Sequence, residues 1–110
     1  MVDAYGCTPD ALRRADVLTA LFDAVIADLD LHPAAPVLWH HFPGPGFGIT
    51  GMALLMESHL TIHTFPETGL ATMNLYCCRP RREWTWRDAL GERLGAQSVT
   101  IRTLPRGGAA

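Results

Sequence analysis

Glu57, Ser58, His59 and His63 place an acid, a hydroxyl and two imidazoles within seven positions of the segment ESHLTIHTF, with Leu60 and Ile62 between them. Hydroxyl and imidazole together suit nucleophilic attack with proton transfer, whereas several imidazoles with nearby cysteines suit a metal. Strand alternation sorts these residues. Leu60 and Ile62 point one way, and His59, Thr61 and His63 point the other. In the next strand candidate, LATMNLYCC, Ala71, Met73, Leu75 and Cys77 share an apolar face, and Thr72, Asn74, Tyr76 and Cys78 a polar one. His63 and Cys78 are therefore expected to look into one polar space. Ser58 has the wrong parity to join them unless the backbone bulges or turns at Glu57–Ser58.

Other readings of these residues are weaker. A zinc site of the HExxH type needs histidines at helical spacing, and this stretch reads as strand. Cys77 and Cys78 are adjacent, which is not C-x-x-C spacing, so no metal is expected. His40 and His41 beside Trp39 read as ordinary strand residues, and Cys77 as a small core residue. Cys78 stays open between a surface thiol and a reactive one. Trp84 and Trp86 read as packing residues, with an interface as the alternative. PGPGFG (43–48) falls short of a phosphate-loop pattern. On pattern alone, Ser58 is a strand-edge residue without a duty.

The elements that must position these groups follow from periodicity and punctuation. VDAYGC is a strand candidate. Thr8 reads as an N-cap with Pro9 at the first helical position. Apolar residues from Leu12 to Leu29 keep helical spacing, predicting one helix over 11–29 that Pro33 and Pro36 end. Strands follow at 37–42, 49–57, 59–65 and 70–78, with loops at 43–48 and at PETG. Thr85 or Trp84 opens a helix that runs through Leu94 and stops at Gly95. SVTIRTL closes as a strand, and RTLPRGGAA reads as a frayed tail. The order β-α-β-β-β-β-α-β predicts an α+β fold, a mostly antiparallel sheet with helices on one face. The other face then needs solvent, a ligand or a partner.

The 110 residues suit one domain spanning 1–110, 48% hydrophobic and 18% charged. No run is long enough to span a bilayer, and the N-terminus lacks a signal-peptide pattern, so a cytoplasmic protein is expected. Three cysteines suit no disulfide framework, and a formal charge of −2 gives no reason to expect nucleic acid.

ESHLTIHTFPE followed by YCC resembles the prokaryotic S-adenosylmethionine decarboxylase family, self-cleaving pyruvoyl enzymes of spermidine synthesis. The resemblance is specific from about Thr50 to Cys78 and looser over nearly the whole chain. It implies a two-layer α/β sandwich whose sheets pair across a homodimer of cleaved protomers. It implies self-cleavage between Glu57 and Ser58, giving 1–57 and 58–110, with Ser58 converted into a covalently bound pyruvoyl group. That ketone would condense with the amine of a small amino-acid substrate and draw in the electrons released with CO2, the part a pyridoxal ring plays elsewhere. His63 matches the histidine of processing, and Cys78 matches the proton-donating cysteine. Thr50 stands where the family usually has a serine that aids processing. Glu67 matches an acid that binds the ribose hydroxyls, and either Phe42 or Phe47 would face adenine. Relatives that take arginine or ornithine, and uncleaved partner subunits, are the alternatives the resemblance leaves. Retention of Ser58, His63 and Cys78 argues against a partner subunit.

Overall fold

Ser58–Phe65 (β4) and Leu70–Cys77 (β5) form the centre of an antiparallel sheet in the computed structural model, which describes residues 1–44, 46–79 and 81–107. The remaining strands are Val2–Tyr5 (β1), Leu38–His41 (β2), Ile49–Leu55 (β3) and Ser98–Ile101 (β6). Their order across the sheet is β2-β3-β4-β5-β1-β6, and every neighbouring pair is antiparallel. Alternation sets the faces as expected: Leu60, Ile62, Ala71 and Met73 are buried, whereas His63 and Phe65 are exposed. Helices cover only the buried face, as the α+β reading requires. Pro45 of the predicted loop and residues 108–110 of the predicted tail lie outside the described residues.

The single helix expected over 11–29 is two, Pro9–Leu12 (α1) and Ala15–Asp28 (α2). Arg14 between them is extended, at φ −106° and ψ 112°. The buried Thr64 hydroxyl explains the break. It donates to the Leu12 carbonyl at 2.9 Å, the acceptor an unbroken helix would offer to the N–H four residues on. The same oxygen accepts the Ile49 N–H at 2.9 Å, so one hydroxyl ties α1 to β3 and β4. Apolar spacing survives the break because Leu12, Leu18, Leu21, Phe22 and Val25 all reach the core.

The prolines do not end α2 either. Asp30 adopts φ 53°, Leu31 N–H returns to the Ile26 carbonyl at 2.8 Å, and Asp30 N–H to Ala27 at 3.3 Å. This is a Schellman closure with aspartate in the left-handed position, which its short polar side chain tolerates. Thr8 does occupy the N-cap position of α1, but its side chain makes no capping bond. Its N–H instead meets the Leu94 carbonyl at 2.8 Å, where Trp86–Leu94 (α3) ends at Gly95 with φ 70°. Trp84 and Trp86 are buried edge to face at 4.9 Å, and Trp84 Nε1 donates to Asp28 at 2.8 Å. Packing is thus their role. Phe22 meets Trp39 at 5.0 Å across the two layers; truncating such a buried ring costs about 3–5 kcal/mol.

Candidate active site

The Thr50–His63 pair organises one end of the open face. The two residues are direct cross-strand partners, and Thr50 Oγ1 lies 2.8 Å from His63 Nδ1. With Nδ1 donating to the threonine, Nε2 keeps its lone pair and can accept a proton. A cavity of about 240 Å3 opens beside this pair, and Phe42, Phe65 and Glu67 also line it. Glu67 is delivered by the turn after β4. The neighbouring loop closes tightly on it: any side chain at Gly46 (φ 83°) would run into the Glu67 carboxylate. Arg13 Nε holds that loop by donating to the Gly46 carbonyl at 2.8 Å. Phe47, also at positive φ, is exposed and does not line the cavity. Of the two aromatics the sequence offered, Phe42 lines this cavity and Phe47 does not.

Glu57, Ser58 and Cys78 assemble at the other end of β4. β3 stops at Leu55, so the strand expected to reach residue 57 ends two residues early, and Met56–Glu57 makes a two-residue hairpin loop. Neither loop residue has positive φ, although the turns that best match strand twist need it. The misfit passes to Ser58, whose φ is 157°. Ser58 is in register with Leu55 and Cys77, the core-facing parity. Its hydroxyl nevertheless reaches Nδ1 of His59 at 3.2 Å. The carbonyl of Glu57, the group preceding Ser58, accepts the Cys78 N–H at 3.0 Å. Cys78 itself is exposed, whereas burial above all raises the Cys77 thiol above its ordinary pKa and favours its inert protonated form.

The polar space expected to hold both His63 and Cys78 is not closed within one chain. Ser58 and His63 lie at opposite ends of the same strand, roughly 17 Å apart at about 3.4 Å per residue. Cys78 adjoins Ser58 across the sheet, so it too is far from His63. The physical reason is that alternation fixes only the direction in which a strand side chain points, whereas its position along the strand follows from sequence separation. The chain carries two separate clusters of candidate residues. One holds Thr50, His63, Glu67 and Phe42, and the other holds Glu57, Ser58 and Cys78.

Two residues near Ser58, His32 and Arg81, escaped the sequence reading, which had also given His59 no role of its own. His59 is the hydroxyl's partner, and its ring leans on Tyr76 at 5.8 Å. His32 and Arg81 surround the Glu57 carboxylate. His32 N–H meets Oε1 at 3.0 Å and His32 Nδ1 meets Oε2 at 2.6 Å, while Arg81 stands 3.7 Å away. The hydrogen bond to Glu57 raises the His32 pKa, and the bonds from His32 lower that of Glu57. Both are charged between those two values; acid protonates Glu57, alkali deprotonates His32, and either loosens the pair. His59 sat in the motif and was readable as a neighbour of Ser58. His32 and Arg81 carried no sequence signal, being 25 and 24 positions from Glu57. Among the described residues, no group of three or more His, Cys, Asp and Glu forms a metal centre, and no helix is long and apolar enough to cross a membrane.

Residues 1–107 match the family described as S-adenosylmethionine decarboxylase. An S-adenosylmethionine decarboxylase proenzyme from Geobacillus kaustophilus is 34% identical, over 96% of this chain and 82% of that protein. The proenzyme of the same name from Aquifex aeolicus is 30% identical, over 97% of this chain and 78% of its own length. The crystal structure of the adenosylmethionine decarboxylase from Aquifex aeolicus superposes with a TM-score of 0.73 at 28% identity, covering 90% of this chain and 80% of that one. A match over nearly the full chain, in sequence and in fold, leaves one assignment: the chain belongs to the S-adenosylmethionine decarboxylase family.

Proposed function

We propose that the chain is a pyruvoyl-dependent carboxy-lyase that decarboxylates S-adenosylmethionine after cutting itself between Glu57 and Ser58 into 1–57 and 58–110. The observation that carries this reading is the environment of that peptide bond. The Glu57 carbonyl is held by Cys78 N–H at 3.0 Å, and the next residue presents a hydroxyl beside an imidazole. Attack by Ser58 Oγ on the Glu57 carbonyl carbon forms an ester and breaks the amide C–N bond, the amine taking a proton. Negative charge gathering on the carbonyl oxygen meets a donor already in place. Removal of the Ser58 Cα proton by the partner subunit's His63 then expels the Glu57 main-chain carboxylate and leaves dehydroalanine, which hydrolyses to the ketone and ammonia.

The residues present fit a pyruvoyl group at Ser58, because it heads β4 with Cys78 alongside and needs no space that a side chain fills. Once formed, that ketone supplies the electron sink for loss of CO2 from an amino acid. Around it, the exposed Cys78 thiol returns a proton to the substrate carbon. Glu67 accepts hydrogen bonds from two neighbouring ribose hydroxyls, and Phe42 offers a stacking face to adenine. The decarboxylated product supplies aminopropyl groups for spermidine synthesis.

A homodimer completes the site in this reading. Antiparallel docking of two open faces about a two-fold axis sets Ser58 and Cys78 of one protomer against the partner subunit's His63, Thr50 and Glu67. Leu38, Met52, Leu54 and Met56 support such docking: they sit together on that face and are 49 to 73% exposed, an apolar surface that calls for cover.

Cleaved protein given carboxyl-labelled S-adenosylmethionine, arginine or ornithine in parallel is expected to release CO2 from the first alone. Phe42→Ala should raise KM several-fold, as loss of an aromatic contact of about 1 kcal/mol requires, and Phe47→Ala should not. Release only from arginine or ornithine would overturn the substrate and keep the mechanism. Release from none, with the ketone present, would point to a partner subunit. In the same assay, Cys78→Ala should lower kcat by about 100-fold, the usual worth of a placed proton donor. Cys77→Ala should change thermal stability more than kcat. Equal turnover of Cys78→Ala and the parent would remove Cys78 from the reaction.

A further inference from the structure

The stretch between α2 and β2 looks like a connection, yet its first residues run along the end of β3. Ala34 N–H donates to the Leu54 carbonyl at 2.8 Å, Pro33 bridges Leu55, and Met56 N–H donates to the His32 carbonyl at 2.7 Å. His32 is thereby fixed by backbone to the residue just before Glu57. From that position it takes both oxygens of the Glu57 carboxylate, with its own N–H on Oε1 and its ring Nδ1 on Oε2. The Glu57 side chain is only 12% exposed, although it sits in a hairpin loop where glutamate would ordinarily be solvated. Asp30 lies 3.6 Å from the other ring nitrogen, and Arg81 lies 3.7 Å from Oε2. These are the charged groups that face the pair from the α2–β2 connection and from the segment after β5.

We propose that His32 is a positioning residue for self-cleavage, locking the Glu57 side chain so that the Glu57 carbonyl stays on Cys78 N–H and in reach of the Ser58 hydroxyl. The inference rests on the self-cleavage reading above. Attack within a dipeptide closes a five-membered ring through the Ser58 Cβ, Cα and N and the Glu57 carbonyl carbon. It proceeds only when the Glu57–Ser58 peptide plane is turned to present the carbonyl carbon to Oγ. Met56 and Glu57 contain no glycine or proline to set that plane. A carboxylate gripped at both oxygens sets it from the side chain, and removing the grip allows orientations that are unreactive.

The test follows cleavage by intact mass from freshly translated, uncut chain, comparing the parent with His32→Ala and His32→Asn. The asparagine amide nitrogen falls close to where Nδ1 lies, so it restores the ring's donor without the ring. His32→Ala is expected to cleave about tenfold more slowly or worse, in line with loss of a hydrogen bond to a charged group. His32→Asn should recover to within about threefold of the parent, a rescue on the scale of one restored hydrogen bond. A parent that cleaves with His32→Ala keeping pace would overturn this proposal alone. Equal slowing of the two variants would also overturn it, because the loss would then track the ring and not the donor. A parent that never cleaves would overturn the self-cleavage reading and this proposal with it.

Discussion

Protein held at working temperature after purification is expected to separate into two chains, residues 1–57 and 58–110, the second blocked at its N-terminus and reactive toward hydroxylamine. The size of the effect follows from proximity. The attacking hydroxyl and the carbonyl belong to adjacent residues, and well-oriented intramolecular groups reach effective concentrations of about 10⁵ M and above. The Cys78 N–H at 3.0 Å from the carbonyl oxygen is a fixed donor where charge develops. Ser58→Ala removes the only atom that can attack and should leave the chain whole at every time point. A parent chain that stays intact, with no ketone trapped by hydroxylamine or borohydride, would exclude the pyruvoyl mechanism.

A mixed dimer should show whether the Ser58 and His63 clusters meet across an interface. Ser58→Ala cannot be cut, and His63→Ala should be cut at least about 100-fold more slowly than the parent, the usual worth of a general base. In the proposed dimer, co-expression of the two variants yields heterodimers. In one site of each, the intact Ser58 of the His63→Ala chain faces the intact His63 of the Ser58→Ala chain. Cleavage of the His63→Ala chain should then return to near the parental rate, while the Ser58→Ala chain stays whole. Mass spectrometry distinguishes the two chains directly. The roughly 17 Å between Ser58 and His63 along β4 motivates the experiment, because a single chain does not bring them into hydrogen-bond range. Failure of co-expression to speed cleavage would place both residues in one chain's site and demand a different route for the proton.

Most of the fold was legible because it rests on local rules. Alternation in HLTIHTF and LATMNLYCC set which residues face the core, and the structure buries Leu60, Ile62, Ala71 and Met73 as expected. Gly95 marked the end of α3 because a left-handed position favours glycine. The break at Arg13–Arg14 was not legible. Its cause is Thr64, a residue 52 positions from the Leu12 carbonyl it binds, and neither neighbour of the break is glycine or proline. The Met56–Glu57 turn was hidden for a similar reason. Two residues of ordinary strand and helix propensity carry no turn signal, and the hairpin is closed by pairing between Leu55 and Ser58.

For the site, the sequence by itself determined the chemical inventory and its order along the chain: Thr50, Glu57, Ser58, His63, Glu67 and Cys78, with the parity that sends His63 outward. Those properties depend on residue type and on a two-residue period, and both are written in the chain. Only the tertiary structure decided which of these groups are neighbours. Strand pairing sets Thr50 against His63 and brings Cys78 to the Glu57 carbonyl. It also brings His32 onto the Glu57 side chain from 25 residues away. Pairing register and chain reversal depend on packing between distant segments. A strand shorter than its expected span, a helix broken by a hydroxyl from the sheet and a histidine in a connecting loop all arise at that level. The same rigidity that keeps β4 straight holds Ser58 and His63 at opposite ends of it, because an extended strand cannot bend back on itself within five residues.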